Sequence, residues 1–342
     1  FDLLNNAFNG LNLISDFIVP NKSNDNNEIF ESLMDRGDKL KRGEITPGLE
    51  TPIKRINEIL GGWRKSELII LAARPSVGKT AFAIKAAWHL VKQNIDIAFF
   101  SFEMSADTLI SRILSIETEL NNNKYQNDGL TRSEQTQNRS VWNKYNTEKL
   151  HIEDKAQTLD INTLTLRAKK LKKEHNIQIV FVDYLQLMKG VDTGNKPNRE
   201  QEISGISRGL KTLAQTLDIP VVALSQLNRK PESRGDDKSP QLSDLRESGA
   251  IEQDADVVCF FNRPEIYGIT EWQDYDNANT TNEAEFSIFK NRNGGLGRDR
   301  MKFVKHLTDF RDIDDPKNDE DDLIIPTNDN NTLYRKDYNE PF

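Results

Sequence analysis

Apolar residues along the chain fall in short unbroken runs rather than strict alternation, and most runs are followed by a longer stretch with helical spacing. Residues 68–72 read Leu-Ile-Ile-Leu-Ala, then a Gly-containing turn, then a predicted helix over 81–93. A strand is predicted over 95–101 and a helix over 106–119. Helices over 162–174 and 203–216 precede strands over 177–182 and 221–225, and further strands are predicted at 256–261 and 286–290. Runs without alternation suit strands buried on both faces. Strands alternating with helices predict an α/β fold, a mainly parallel sheet with helices on both faces. Residues 121–146 are polar and Asn/Gln-rich, which predicts a surface excursion with a helix inside it.

The two ends differ in texture from this middle. Residues 1–54 have little apolar continuity, and an Asn-rich patch at 21–27 reads as linker. Within them, Ile29, Leu33 and Leu40, extended by Phe30 and Met34, lie near helical spacing and predict an amphipathic helix over 28–41. Such a helix docks on a neighbour or packs on its own domain, and spacing does not choose between these. After Phe310 the chain turns acidic and Asn-rich, which predicts a loose tail. The expected division is a linker region 1–54, a globular domain 55–312 and an acidic tail 313–342. The chain begins with Phe rather than Met, which points to a segment upstream.

Composition narrows the class. No apolar run reaches the ~20 residues of a membrane helix. The single cysteine, Cys259, rules out an internal disulfide and suits a reducing compartment. The four histidines are scattered, with no metal-ligand spacing, so no zinc site is read. A net charge of −8 argues against a protein that coats nucleic acid with its whole surface. A locally basic channel remains compatible with it.

The candidate chemistry starts at Ala73-Arg74-Pro75-Ser76-Val77-Gly78-Lys79-Thr80-Ala81, between a predicted strand and a predicted helix. This is the phosphate-loop pattern, with Ala73 in place of the first glycine. Successive backbone N–H groups at a helix N-terminus cradle an anion, Gly78 allows close approach, Lys79 reaches the β- and γ-phosphates, and the Thr80 hydroxyl can ligate Mg²⁺. A nucleotide polyphosphate and Mg²⁺ are therefore the expected ligands. Five further residues lie at or near strand ends. Glu103 can polarise a water or merely favour a helix start. Asp183 ends an apolar strand, as expected of a Mg²⁺-holding carboxylate. Gln226 can sense a γ-phosphate or cap its strand. Lys290 and Arg292 feed a Gly-rich turn that should project both outward, as phosphate-contacting cations or as a solvated hairpin tip.

Taken together, LIILAARPSVGKTAF at 68–82, FFSFEMS at 99–105, VFVDYLQLM at 180–188, ALSQLNR at 223–229, DLRESGAIEQDAD at 244–256 and FKNRNG at 289–294 resemble, in order, the motifs of the DnaB-type replicative helicases. The resemblance implies a RecA-like P-loop NTPase fold and a homohexameric ring with ATP at each subunit interface. The enzyme it implies is an ATP-dependent helicase moving 5′→3′ on single-stranded DNA. By motif, it assigns Lys79 and Thr80 to phosphate and Mg²⁺, Glu103 to the attacking water, Asp183 to Mg²⁺ and Gln226 to the γ-phosphate. Lys290 and Arg292 would act in trans on a neighbour's ATP, and Arg246, Glu247 and Gly249 would contact the DNA backbone. A primase and a helicase loader are the implied partners, and a cytoplasmic, nucleoid-associated setting in a bacterial or phage-infected cell the implied location. Residues 1–54 are too short and Asn-rich for the family's whole N-terminal collar domain, and the tail has no counterpart.

Two segments gather cations that a ring would present to a strand. Lys189, Lys196 and Arg199 lie in a Gly/Asn/Pro stretch; Arg229, Lys230, Arg234 and Lys238 precede Arg246. Neither has an aromatic, so backbone contacts rather than base stacking would dominate; solvated surface loops are the alternative. The rival function is a recombinase-like or regulatory P-loop ATPase that binds DNA without unwinding it.

Overall fold

The computed structural model describes residues 25–154, 159–188, 199–227 and 239–318. The chain divides into two units, Phe1–Thr46 and Pro47–Phe342. The described part of the first contains α1 (Asn26–Lys41), whose first turn is capped by the Asp25 carboxylate accepting from the Asn27 N–H at 3.0 Å. Its predicted apolar stripe, Ile29, Phe30, Leu33 and Met34, is exposed, and no residue of α1 is buried.

The second unit starts with α2 (Lys54–Leu60) and is built on a sheet that has nine strands among the described residues. In chain order these are β1 (Leu68–Ala73), β2 (Ile97–Ser101), β3 (Leu150–Glu153), β4 (Ile179–Asp183), β5 (Val221–Gln226), β6 (Val257–Asn262), β7 (Glu283–Asn291), β8 (Gly297–Val304) and β9 (Asp309–Asp312). Across the sheet they run β3-β2-β4-β5-β1-β6-β7-β8-β9. The first six in that order are parallel, and β7, β8 and β9 add an antiparallel meander.

The helices are α3 (Lys79–Lys92), α4 (Ala106–Thr118), α5 (Arg132–Lys144), α6 (Ile161–His175), α7 (Arg199–Leu217) and α8 (Gly249–Asp254). The central strands have no polar face because both sides are covered. In β1, Ile69, Leu71 and Ala73 enter one apolar cluster, with Phe82 and Ile84 of α3 and Leu109 and Ile113 of α4. Leu68, Ile70 and Ala72 enter the other, with Leu164 and Ala168 of α6 and Ile206 and Leu210 of α7. The mainly parallel, two-faced sheet expected from the apolar runs is the one that forms. Parallel strands connected by crossovers carry their carboxyl ends to one edge, where open α/β sheets bind ligands. Ala73, Ser101, Asp183 and Gln226 end β1, β2, β4 and β5 at that edge.

Three strands were not predicted. β3 is four half-buried residues, paired only with β2. β8 alternates Arg298, Arg300 and Lys302 on one face with Asp299 and the buried Met301 and Phe303 on the other, so no apolar run marks it. β9 closes the expected globular domain just before the expected tail: Phe310 pairs with Phe303 in register, and the Arg311 guanidinium is buried with the Asp309 carboxylate at 3.0 Å. Chain order therefore continues to at least Asn318; residues 319–342 lie outside the described part.

Candidate functional site

The phosphate loop joins β1 to α3. Ser76 has φ 65° and Gly78 φ 112°, which turns the chain sharply into the helix. A Cβ on Gly78 would lie 2.9 Å from Phe310 Cζ and 3.3 Å from Phe303 Cε2, so both conformation and space demand glycine here. Where α4 is capped by the Ser105 hydroxyl and α5 by a Thr131–Glu134 capping box, α3 has Gly78 at its N-cap and no side-chain cap. Its first N–H groups are left to face an anion.

Lys79, the first residue of α3, is buried, with its ammonium 4.6 Å from the centroid of the Tyr184 ring. Burial pulls its pKa below the ordinary lysine value, opposed by the charges of Asp183 and Glu103. Asp183 is fully buried, and neither carboxylate oxygen has a hydrogen bond of ordinary geometry. Desolvation raises its pKa to about 6, against the pull of Lys79, of the Thr80 hydroxyl beside it and of Arg112. A buried carboxylate with unpartnered oxygens, next to a desolvated ammonium and under an uncapped helix start, fits a Mg²⁺–polyphosphate. The cation would supply what Asp183 lacks, and the phosphates what Lys79 and the amides lack.

Glu103 enters the same field from the neighbouring strand. Ser101 pairs with Asp183 in register, and the Phe102 N–H donates to the Asp183 carbonyl at 2.7 Å. The Ser101 hydroxyl donates to the Met104 carbonyl at 2.6 Å and accepts from the Met104 N–H at 3.1 Å. This stitch fixes the turn in which Glu103 stands exposed. On the other side of the loop, Gln226 pairs with Ala73, and the Leu227 N–H donates to the Ala73 carbonyl at 3.0 Å. The structure thus brings together the loop, Lys79, Thr80, Glu103, Asp183 and Gln226.

Arg112 was not singled out from the sequence. It is on α4, half-buried, and its guanidinium is felt by both Asp183 and Glu103. Burial lowers its pKa, opposed by those two carboxylates, and its Nε has no hydrogen-bond partner. The available signal was spacing: Leu109, Arg112 and Ile113 stand at i, i+3 and i+4, which puts the arginine on the buried stripe.

Lys290 and Arg292 are elsewhere. β7 is antiparallel to β6, with Val257 opposite Asn291, so its carboxyl end lies at the amino ends of the parallel strands, the edge opposite the phosphate loop. The turn between β7 and β8 is the expected hairpin tip, with Lys290 near the end of β7 and Arg292 exposed in the turn, but both side chains are tethered there. The Lys290 ammonium donates to the carbonyls of Glu252 and Gln253, and Arg292 donates to the Gln253 carbonyl at 2.7 Å and pairs with Asp256 at 3.2 Å. The reason is local: the free carbonyls at the end of α8 and the buried Asp256 carboxylate face this turn.

Of the expected DNA contacts, Arg199 opens α7, donates to the Gln186 carbonyl and pairs with Glu202 at 2.6 Å. Gly249 opens α8. Arg246 and Glu247 fall in a 3₁₀ stretch, Leu242–Ser248, but their side chains, with Lys189, Lys196, Arg229, Lys230, Arg234 and Lys238, lie outside the described residues. Among the described residues no helix is long and apolar enough to cross a membrane.

Comparison with known proteins places this geometry. Residues 48–312 match the DnaB-like helicase C terminal domain. The chain is 39% identical over 273 residues to the replicative DNA helicase DnaB of Geobacillus stearothermophilus, covering 80% of this chain and 58% of that protein. It is 38% identical over 308 residues to the Rickettsia typhi DnaB, covering 84% and 61%. The chain thus spans about three fifths of the length of these relatives. Among solved structures, an isolated ATPase domain superposes with a TM-score of 0.73 at 31% identity, covering 84% of this chain and 100% of that one. A DnaB-like replicative helicase, described with its primase interactions, superposes at 0.70 with 29% identity, covering 88% and 70%. The sheet and its flanking helices are a RecA-like α/β fold.

Proposed function

From a chain that belongs to the DnaB-like helicase C-terminal domain family, we propose that residues 55–312 are the motor of a hexameric, ATP-dependent replicative DNA helicase. It moves 5′→3′ along single-stranded DNA and unwinds the duplex at the fork, in the cytoplasm and at the nucleoid. Residues 1–54 serve as a linker with a docking helix, and 313–342 as an acidic tail. A primase and a loader are its partners, the former supported by the described primase interactions of a structural relative.

The observation that carries the reading is the unpartnered, buried Asp183 beside the desolvated Lys79 at the mouth of α3. Residues 73–81 hold the phosphates through backbone N–H groups and the Lys79 ammonium. Thr80 and Asp183 would hold Mg²⁺, which when bound neutralises charge on the β- and γ-phosphate oxygens. Glu103 orients the attacking water and accepts its proton as the water oxygen bonds to the γ-phosphorus and the bond from that phosphorus to the β–γ bridging oxygen breaks, releasing ADP and phosphate. Gln226 registers the γ-phosphate. Arg292 and Lys290, on the opposite edge, serve the ATP of the adjacent protomer. Their placement away from Lys79 supports action between chains rather than within one. Arg246, Glu247, Gly249, Lys196, Arg199 and Arg229 follow the DNA backbone, which makes binding independent of base sequence and sensitive to salt. The test is ATP turnover with and without single-stranded DNA. Lys79→Ala is expected to lose DNA-stimulated hydrolysis while keeping its fold, and normal hydrolysis by that variant would overturn the reading.

A further inference from the structure

Gln186 is half-buried in the 3₁₀ turn Leu185–Leu187, three residues after Asp183. Its side-chain amide makes three contacts with the end of β5. Nε2 donates to the Ser225 hydroxyl at 2.8 Å and to the Gln226 carbonyl at 3.1 Å, and Oε1 accepts from the Gln226 N–H at 3.2 Å. The register between β4 and β5 runs Val180–Val221, Phe181–Val222 and Val182–Ala223, whereas that between β5 and β1 runs on to Gln226 opposite Ala73. At Gln226, then, the backbone is held on one side by the first residue of the phosphate loop and on the other by the Gln186 side chain, where β4 has already ended. A primary amide reproduces a peptide group's donor and acceptor pair, and Gln186 uses both on the N–H and C=O of one residue. The Gln226 side chain is left exposed at the carboxyl edge.

We propose that Gln186 is a positioning residue: it fixes the backbone from which Gln226 reaches the γ-phosphate and binds that backbone to the turn carrying Asp183. This rests on the reading of Gln226 as the γ-phosphate contact. Without the clamp, Gln226 keeps its pairing to Ala73 alone, and its amide samples orientations that miss the transferring group.

The experiment is a double-mutant cycle in the full chain, on Gln186→Met, which keeps length and bulk but neither polar atom, and Gln226→Ala. Gln186→Met is expected to lower kcat for DNA-stimulated ATP hydrolysis ~10-fold with little change in ATP KM and no loss of ADP binding. It should also speed hydrogen exchange at the Gln226 N–H. In the Gln226→Ala background the same substitution should change kcat by less than ~2-fold, because a residue acting through Gln226 has nothing left to position. Full additivity would overturn the proposal, as would unchanged kcat in Gln186→Met when Gln226→Ala alone is impaired. Unchanged turnover in Gln226→Ala would remove the sensor reading itself, and the proposal with it. If Gln186→Met does not fold, Gln186→Glu replaces it. Glu keeps the acceptor for the Gln226 N–H and loses the donor to the Gln226 carbonyl, so an intermediate loss, ~3-fold, is expected from the same cycle, and additivity overturns the proposal there too.

Discussion

Asp183→Asn is expected to stabilise the nucleotide-free protein at neutral pH while abolishing turnover. The carboxyl is fully buried, its oxygens lack hydrogen bonds of ordinary geometry, and its pKa is raised from 3.8 to about 6. At ~1.4 kcal/mol per tenfold change in proton affinity, that corresponds to about 3 kcal/mol against the ionised folded state, with the attraction of Lys79 already included. The raised value means the folded protein holds a proton that the unfolded chain has released between pH 3.8 and about 6. Stability therefore falls as pH rises through that window, and the deficit is complete above it. Asn carries no such deficit, although burying its amide N–H₂ gives back about 1 kcal/mol. The variant should exceed wild type by about 2 kcal/mol at pH ~7.5, and the difference should vanish or reverse slightly by pH ~4. Urea unfolding with EDTA and without nucleotide, followed through the buried Trp63 and Trp88, reads this directly. A variant less stable than wild type at neutral pH, or a difference independent of pH, would refute Asp183 as a desolvated charge kept for a cation.

Three further outcomes are expected. Gly78→Ala forces a side chain into φ 112° and against Phe310; it should cost about 2–4 kcal/mol of stability and abolish binding of a fluorescent ATP analogue. Ser101→Ala cuts the stitch to Met104 that sets the Glu103 turn; kcat should fall ~10-fold with ATP KM nearly unchanged, and a KM effect alone would exclude a role through Glu103. Arg292→Ala subunits titrated into wild type should depress activity faster than dilution, whereas a linear loss would confine Arg292 to its own protomer.

What could be read from the chain before its fold was known is what consecutive residues encode. A phosphate loop needs its backbone, Gly78, Lys79 and Thr80 in one stretch between a strand and a helix, so a single run of neighbouring residues carried it. β1, β4 and β5, buried on both faces, announce themselves as unbroken apolar runs. β8 and β9 did not, because one face is charged and their stability comes from pairing with β7 and with each other. Arg112 was hidden by the apolar stripe it interrupts. Gln186 and Asp256 act on partners about 40 residues away in sequence, Gln226 and Arg292 respectively, and such partnerships exist only once the sheet is assembled. For the same reason the tethering of Lys290 and Arg292 to the end of α8 was not visible in a strand feeding a Gly-rich turn.

In the proposed motor, nucleotide turnover at the carboxyl edge of this sheet drives the chain along one DNA strand. Strand displacement on forked DNA with ATP and Mg²⁺, comparing forks with only a 5′ tail or only a 3′ tail on the loading strand, tests it most directly. Displacement is expected from the 5′-tailed fork, absent from the 3′-tailed fork and lost in Lys79→Ala. An oligomeric sample that hydrolyses ATP at the same rate with or without single-stranded DNA, and displaces neither fork, would contradict it.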